Sequence, residues 1–369
     1  MLERGKISSS QMAFMMYPAI SATVLLLVPA ITAKHSKQDL WLSPIWASLV
    51  GFLTLYLVYK LNRLYPQETI IEYSEHILGK FLGKLLGAIF LMFYFHITGI
   101  IVREYGEFVS GTFLHHTPMF VILSTMVLVC AFAVNGGLEV IGRSSEVIVP
   151  VLMLLYLIVF ILVIKDLDIK NMFPILENGI KPSLLGSVVP QSWFSEFIIV
   201  SFFFPYLTDK EKGMKWGMIS ILTVLFFMVL TNIMTLLLFG RLTSLLTYPV
   251  MVAARYISVG DFLEHLESIV MAIWVAGTFV KITVFYYVVV LGTAQWLKLS
   301  DFRPLVLPIG FLLILLAVWS APNLQKLAHF LGTSAPFYFL SIQVGIPFML
   351  LIIALIRNKI HKMKGSLRG

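Results

Sequence analysis

Ten long apolar segments occupy most of this 369-residue chain and leave only short polar stretches between them. A helix needs about 20 mostly apolar residues to cross a membrane, and lipid offers no partners for the backbone groups of an open structure. Charged residues make up 12% of the chain, against about 25% in soluble domains. The sequence therefore predicts an all-α polytopic membrane protein with a single transmembrane domain over residues 1–369. The predicted spans are 10–33, 43–62, 82–114, 118–135, 143–164, 184–207, 215–239, 262–297, 303–321 and 335–357.

The net charge of +8 is distributed unevenly between the two sides that these spans define. Most of the 27 Lys and Arg residues lie at the N-terminus, in the connections on its side and in the tail from Arg357 to Arg368. Positive residues concentrate on the cytoplasmic side of membrane proteins, so this bias and the even number of spans predict that both termini are cytoplasmic. The basic tail is expected to rest on anionic membrane lipid. No aromatic or motif context accompanies it, so no nucleic-acid partner is expected.

Segments one and six are interrupted by turn-prone residues at membrane depth. Segment one contains Pro18 and the small run Ser21-Ala22-Thr23, and segment six contains Pro190 and a polar run that ends at Glu196. Segments three and eight are overlong, since each would run about 50 Å as a helix against a hydrocarbon core of about 30 Å. Interruptions at equivalent positions of two halves point to a midplane binding site. The pattern predicts a five-plus-five inverted repeat, a transporter-like fold, with helices one and six broken.

Sequence signatures of catalysis are absent. The chain has no phosphate loop, no zinc-binding helix motif and no GxSxG elbow. Its histidines are scattered, so no metal site is expected. We therefore expect neither an enzyme nor a bound cofactor.

Lys281 is the most informative ionisable residue because it lies near the middle of segment eight. A charge at this depth is expensive, and such residues usually serve a function. One interpretation is a tethered cation that binds a ligand carboxylate or replaces a coupling ion. The other is a structural lysine that holds the freed carbonyls of segment one. Both interpretations can be true at once.

Other polar and aromatic residues within the spans leave comparable alternatives open. Glu196 either titrates or meets a ligand amino group, or it caps the helix that follows the break. Arg103, Glu104 and Glu107 are spaced to interact on one helix, either as an ion-pair cluster or outer gate, or by direct contact with a ligand. Tyr94 lies at the depth of the breaks, where it either packs in the bundle or contacts the ligand.

The chain resembles the B subunits of bacterial spore germinant receptors, also called endospore germination permeases. The resemblance covers essentially the whole chain and rests on the order and spacing of several stretches. These are KISSSQMAFMMYPAISATVLLLVPA, TFLHHTPMFVILS, NMFPILENGIKPSLLG and TYPVMVAARYISVGDFLEHLESIVMAIWVAGTFVKITVFYY. The family is similar to the amino acid/polyamine/organocation transporters, which implies ten helices in a five-plus-five inverted repeat. Related transporters carry Gly-x-Gly in the helix-one break, whereas this chain has Ala22-Thr23-Val24, which predicts less unwinding.

The resemblance implies a subunit that senses a nutrient germinant, an amino acid or a sugar, in the spore inner membrane. It implies as partners a membrane-embedded A subunit and a lipoprotein C subunit. It also implies a ligand pocket formed by helices one, three, six and eight. Carried over to this chain, the pocket residues are Ser21, Ala22, Thr23, Val24, Tyr94, Ser195, Glu196, Lys281 and Phe285. Two other classes remain open: an active proton-coupled amino-acid permease and a scaffold that binds no small molecule.

Overall fold

The computed structural model describes residues 2–256 and 267–366, and these residues form an almost entirely helical bundle. The helices of the first half are α1 (Ser9–Ser36), α2 (Ser43–Leu64), α3 (Ile70–Leu78), α4 (Lys80–Thr112), α5 (Met119–Gly136) and α6 (Leu138–Val163). Those of the second half are α7 (Lys181–Ser195), α8 (Gly213–Phe239), α9 (Pro249–Tyr256), α10 (Glu267–Leu297), α11 (Val306–Ser320), α12 (Leu324–Thr333), α13 (Ala335–Leu340) and α14 (Ile346–Ser366).

Nine helical stretches of the described chain are long and apolar enough to cross a membrane. The first of them, Ser9–Leu64, contains both α1 and α2, joined by the 3-10 turn Lys37–Leu42. The described stretches therefore supply ten spans. The long helices are α4, with 33 residues, and α10, with 31. Residues 257–266, which include the predicted start of span eight, lie outside the described residues.

Helix α1 lies at the centre of the bundle, where it packs against α6, α7, α8 and α10. It begins at a capping box in which Ser8 and Gln11 satisfy each other's backbone N–H groups. Nearly all of its side chains are buried. A helix that is apolar all round belongs in the interior of a bundle, and α1 is surrounded there by these four helices.

The predicted interruption of helix one is wrong at the level of the backbone, because α1 is a single α-helix from Ser9 to Ser36. Pro18 and Pro29 both lie inside it. Each proline removes one backbone hydrogen bond, but residues 22–24 include no glycine that would readily leave helical geometry. The Trp193 indole N–H donates to Thr23 Oγ1 at 2.8 Å, which ties this turn of α1 to α7.

Helix six is broken, as predicted, but the break begins after the polar run rather than at Pro190. Pro190 stays inside α7, which ends at Ser195. A 3-10 helix follows over Glu196–Phe202. Pro205 lacks an N–H and its ring would clash with the carbonyl four residues earlier, which disfavours an α-helix over the residues just before it. Runs of 3-10 helix longer than three or four residues are uncommon and often mark a hinge.

The bundle has two ends, which we call the terminal face and the distal face. The terminal face carries the N-terminal segment and the amphipathic helix α3. The distal face carries the turn Lys37–Leu42, the connection over 164–180 and α9. Helix α9 ends at Tyr256, and residues 257–266 lie outside the described residues.

The N-terminal segment closes the terminal face with a strap of polar contacts. The buried Glu3 carboxylate accepts hydrogen bonds from the Gly5 N–H at 2.6 Å, the Leu138 N–H at 3.1 Å and the Tyr287 hydroxyl at 3.0 Å. Ile7 pairs with the chain just after the helix-six break, through Ile7 N–H to Tyr206 O at 3.2 Å. The segment therefore links α10 to the end of helix six.

Candidate ligand-binding site

Three buried ionisable residues from three different helices meet inside the bundle. Lys281 Nζ donates to Glu196 Oε2 at 3.0 Å, and the two side chains are 0% and 2% exposed. Glu104 is also buried and lies close enough to interact electrostatically with both. Its Oε1 has no hydrogen-bond partner among the described residues. We call these three residues the charge layer, which has one cation for two carboxyl groups.

The contacts of Lys281 bear on the structural interpretation, in which it holds carbonyls of segment one. Its hydrogen-bond partner is the Glu196 carboxylate rather than a carbonyl of α1. Its ammonium also lies 5.3 Å from the centroid of the Phe285 ring, one turn along α10, which adds a cation–π contact. The lysine therefore joins α10 to the break in helix six. The predicted pairing with segment-one carbonyls is absent from its described contacts.

Tyr94 lies beside the charge layer within an aromatic group. Its ring makes edge contacts with Phe202 at 5.9 Å and with Phe285 at 6.4 Å between centroids. Its hydroxyl is buried and has no hydrogen-bond partner among the described residues. Buried polar groups are almost always satisfied, so this hydroxyl and Glu104 Oε1 are two free polar groups in one region of the bundle.

The expected cluster of Arg103, Glu104 and Glu107 divides into two parts. Arg103 forms an ion pair with Glu107, with its Nη2 2.6 Å from Oε1, and it also donates to the carbonyl of Pro322 at 3.3 Å. Glu104 takes no part in that pair and belongs to the charge layer. The ion-pair interpretation therefore holds for Arg103 and Glu107 only.

A small cavity of about 50 Å³ lies on the distal side of the charge layer. Its wall includes Ser21 and Ala22 of α1, Tyr156 of α6, and Trp274 and Gly277 of α10. Gly277 precedes Lys281 by one helical turn, about 6 Å. The cavity has room for a few water molecules but is smaller than ordinary ligand pockets of roughly 300–1,000 Å³.

Aromatic side chains pack above the cavity toward the distal face. Trp274 stacks on Tyr105 with ring centroids 5.8 Å apart and planes at 4°. It also meets Phe108 at 4.1 Å, and Phe108 in turn contacts Tyr248 at 5.2 Å. These four rings come from α4, α10 and the segment before α9. Trp274 also lines the cavity, so this aromatic group borders it.

The nine residues predicted for the pocket fall into separate groups. Ser21 and Ala22 line the cavity, whereas Thr23 is engaged by Trp193 and Val24 is packed in the apolar core. The residues that lie in or beside the charge layer, and that do not line the cavity, are Tyr94, Ser195, Glu196, Lys281 and Phe285. The cavity and the charge layer are joined through α10, where Gly277 in the cavity wall precedes Lys281 by about one turn.

Gln343 is a polar residue of this region that sequence reasoning missed. It is fully buried, and its Oε1 accepts a hydrogen bond from Ser195 Oγ. It lies in a π-helical turn, Ser341–Gly345, and such turns frequently occur at functional sites. Its Nε2 has no partner among the described residues. The available signal was a single amide in the otherwise apolar span 335–357.

Comparison with solved structures defines the class of protein. Mhp1, a nucleobase-cation-symport-1 family transporter in a closed conformation with bromovinylhydantoin bound, superposes with a TM-score of 0.67 at 12% identity. The match covers 94% of this chain and 78% of Mhp1. MhsT in complex with L-phenylalanine gives a TM-score of 0.62 at 14% identity and covers 95% of this chain and 99% of MhsT. The chain thus has the fold of these transporters, which confirms the predicted fold class.

The family follows from sequence similarity. The spore permease family, described as spore germination protein, matches residues 6–325, and the chain belongs to this family. Spore germination protein KB of Bacillus subtilis (strain 168) is 27% identical over 99% of both chains. The resemblance identified from the sequence motifs is therefore confirmed, and the chain is a multi-pass membrane protein of the spore germination family.

Proposed function

We propose that this chain is the nutrient-sensing subunit of a spore germination receptor and that it binds an amino acid near the membrane midplane. The observation that carries the proposal is the charge layer, in which Lys281 pairs with Glu196 and the buried Glu104 lies within electrostatic range of both. Ionisable groups are expensive inside a membrane and are usually retained for function. The layer lies at the break in helix six and one turn from a cavity bordered by α1.

The chemistry of the layer favours a zwitterionic ligand. Two carboxyl groups against one lysine leave an excess of negative charge, which the ammonium of an amino acid would offset. The ligand carboxylate would then have the Lys281 ammonium and the Tyr94 hydroxyl within the same region. MhsT shares the fold, and its crystal structure is of a complex with L-phenylalanine. This similarity supports an amino acid as the ligand class.

The same excess carboxyl group favours a second candidate, a proton-coupled amino-acid permease. A proton on Glu104 or Glu196 would balance the layer when no ligand ammonium is present. Release of that proton when the ligand binds would couple ligand binding to proton movement. Uptake of labelled amino acid into proteoliposomes along a proton gradient distinguishes this permease from a receptor that binds without transport.

The partners and the location of the chain are part of the proposal. We place it in the spore inner membrane with the terminal face toward the cytoplasm, beside a receptor A subunit and a lipoprotein C subunit. Membership of the spore germination family and the positive charge of the terminal face support this placement. Co-purification of tagged A and C subunits with this chain tests the assembly.

The decisive experiment is a ligand screen of the purified full chain, with amino acids and sugars, by thermal stability and equilibrium binding. We expect a small set of amino acids to raise the melting temperature in a saturable manner. Glu104→Gln should weaken their binding about tenfold or more, because a charge-assisted contact to the ammonium is lost. The control is Glu211→Gln, an exposed carboxylate on the terminal face. Binding of sugars alone would reject the amino acid, and binding unaffected by Glu104→Gln would reject this site.

A further inference from the structure

A second pocket, separate from the charge layer, opens on the distal face between the ends of α1 and α8. Its volume is about 360 Å³. Four cationic side chains line it: Lys34, Lys37, Lys170 and Arg241. One carboxylate, that of Glu177, lines it as well. We call this the distal basic pocket.

Its cations have no ionic partners within the described chain. All four residues are exposed, and the ion pairs formed by residues 2–256 and 267–366 include none of them. They come from three separate segments, the end of α1, the connection before α7 and the turn after α8. Convergence of like charges from separate segments costs free energy unless an anion offsets it.

The neighbouring acidic residues are already engaged. Asp39 is buried, and its carboxylate accepts from the Leu176 N–H at 2.9 Å. Asp168 accepts from the Lys170 N–H at 2.9 Å as a helix cap. Glu177 accepts from Gln38 Nε2 at 3.0 Å. These contacts hold the connection over 164–180 in place. Of the three carboxylates only that of Glu177 lines the pocket, so the lining itself carries four cations and one anion.

The wall of the pocket is built on fixed backbone. Asn171 Nδ2 donates to Leu237 O at 2.9 Å, and the Asp168 N–H donates to the same carbonyl at 3.0 Å. Both contacts anchor the connection to the last turns of α8. The pocket is therefore a formed recess with cations at its rim rather than a set of lysines on a mobile tail.

We propose that the distal basic pocket binds an anionic phosphate group. Lysine and arginine are the residues that recognise phosphate, and four of them surround a recess at the ends of two membrane-spanning helices. Positive charge is disfavoured on the face opposite the basic termini, so its concentration at this place calls for a compensating anion. The phosphate belongs either to the headgroup of an anionic lipid in that leaflet or to a soluble phosphate compound.

The test compares two double variants of the full chain in lipid nanodiscs. Lys170→Gln/Arg241→Gln removes two charges from the pocket. Lys181→Gln/Lys326→Gln removes two exposed cations outside the set that lines it. The probes are phosphatidylglycerol, with phosphatidylcholine as the neutral reference, and free sn-glycerol 1-phosphate. The readout is the apparent affinity obtained from thermal-stability titrations.

We expect phosphatidylglycerol to stabilise the parent chain and the control variant, and to bind the pocket variant at least about tenfold more weakly. If glycerol phosphate competes with the lipid at the same site, soluble phosphate is also a source. If it does not, the ligand is the lipid headgroup. Equal affinities of the pocket and control variants, or no response of the parent chain to either phosphate probe, would overturn the proposal.

Discussion

The ammonium of Lys281 lies 3.0 Å from the carboxylate of Glu196, and neither side chain reaches solvent or lipid. The pair joins the centre of α10 to the first residue of the 3-10 segment in helix six. Breaking a buried pair leaves one charge without compensation, whereas replacing both partners removes the problem. The two residues are therefore coupled in stability as well as in position.

Lys281→Met should lower the free energy of unfolding by about 3–5 kcal/mol, because Glu196 is left buried and unpaired. Adding Glu196→Gln should restore most of that loss, since methionine roughly keeps the volume of lysine and glutamine is neutral. Thermal unfolding of the purified variants in detergent measures both effects. Additive losses in the double variant would contradict the coupling.

Glu104→Gln should leave the stability unchanged or raise it slightly. The substitution replaces a buried carboxyl group within electrostatic range of Glu196 by a neutral amide of similar shape, and it breaks no described hydrogen bond of Oε1. Glu107→Gln is the matched control on the same helix, and it should lower stability because it weakens the buried ion pair with Arg103. Melting temperatures that fall equally in both variants would place Glu104 in a structural network instead.

Gly277→Leu should block ligand binding while the protein remains folded. A Cβ at this position would meet Ala22 Cβ at 3.5 Å, an ordinary contact, and the larger side chain would occupy the cavity. Gly111→Leu makes the same change in another helix at a position where a Cβ meets nothing within 4 Å. Binding is compared at equal membrane abundance of the two variants. Retained binding in Gly277→Leu would show that the ligand does not use this cavity.

Glu3→Ala should loosen the terminal face. The change removes the acceptor of three hydrogen bonds, and each donor left buried costs about 1–3 kcal/mol. Hydrogen exchange of the amides around Leu138 and Ile7 should become faster, with little change at the distal face. Glu211→Ala, which alters an exposed carboxylate on the same face, is the control and should leave exchange unchanged.

Cysteine labelling should place Lys37 and Lys80 on opposite sides of the membrane. Both residues are exposed, on the distal and terminal faces respectively. The native Cys130 is buried, so its background labelling is low. An impermeant maleimide should modify Lys37→Cys in intact cells and Lys80→Cys only after permeabilisation. The reverse result would invert the proposed orientation.

The sequence predicted most of the membrane architecture because the pattern that carries it is local. Apolar length locates the spans, and the polar run before Glu196 locates the break in helix six. The same reasoning failed for α1, since proline and small residues permit an interruption but do not force one. Whether Pro18 is accommodated depends on neighbours such as Trp193, which only the fold brings to Thr23.

The sequence named most residues of the candidate site but did not predict how they pair with one another. The depth of Lys281 and of Glu196 in their spans made both candidates for a functional or a structural role, because buried charge is costly wherever it occurs. Their mutual pairing, the separation of Glu104 from Arg103 and the contact of Gln343 with Ser195 depend on helix rotation and packing. Periodicity within one helix does not fix these relationships.

The 3-10 segment Glu196–Phe202 would become shorter if it changed to an α-helix. A 3-10 helix rises about 2.0 Å per residue and turns about 120°, against about 1.5 Å and 100° in an α-helix. If these seven residues rewound into an α-helix, they would shorten by about 3.5 Å and rotate the chain beyond them by about 140°. Glu196 stands at one end of this segment, and the pairing with Ile7 lies just beyond the other. If loss of the hydrogen bond between Glu196 and Lys281 let the segment rewind, the chain at the terminal face would move toward Glu196 and rotate at the same time.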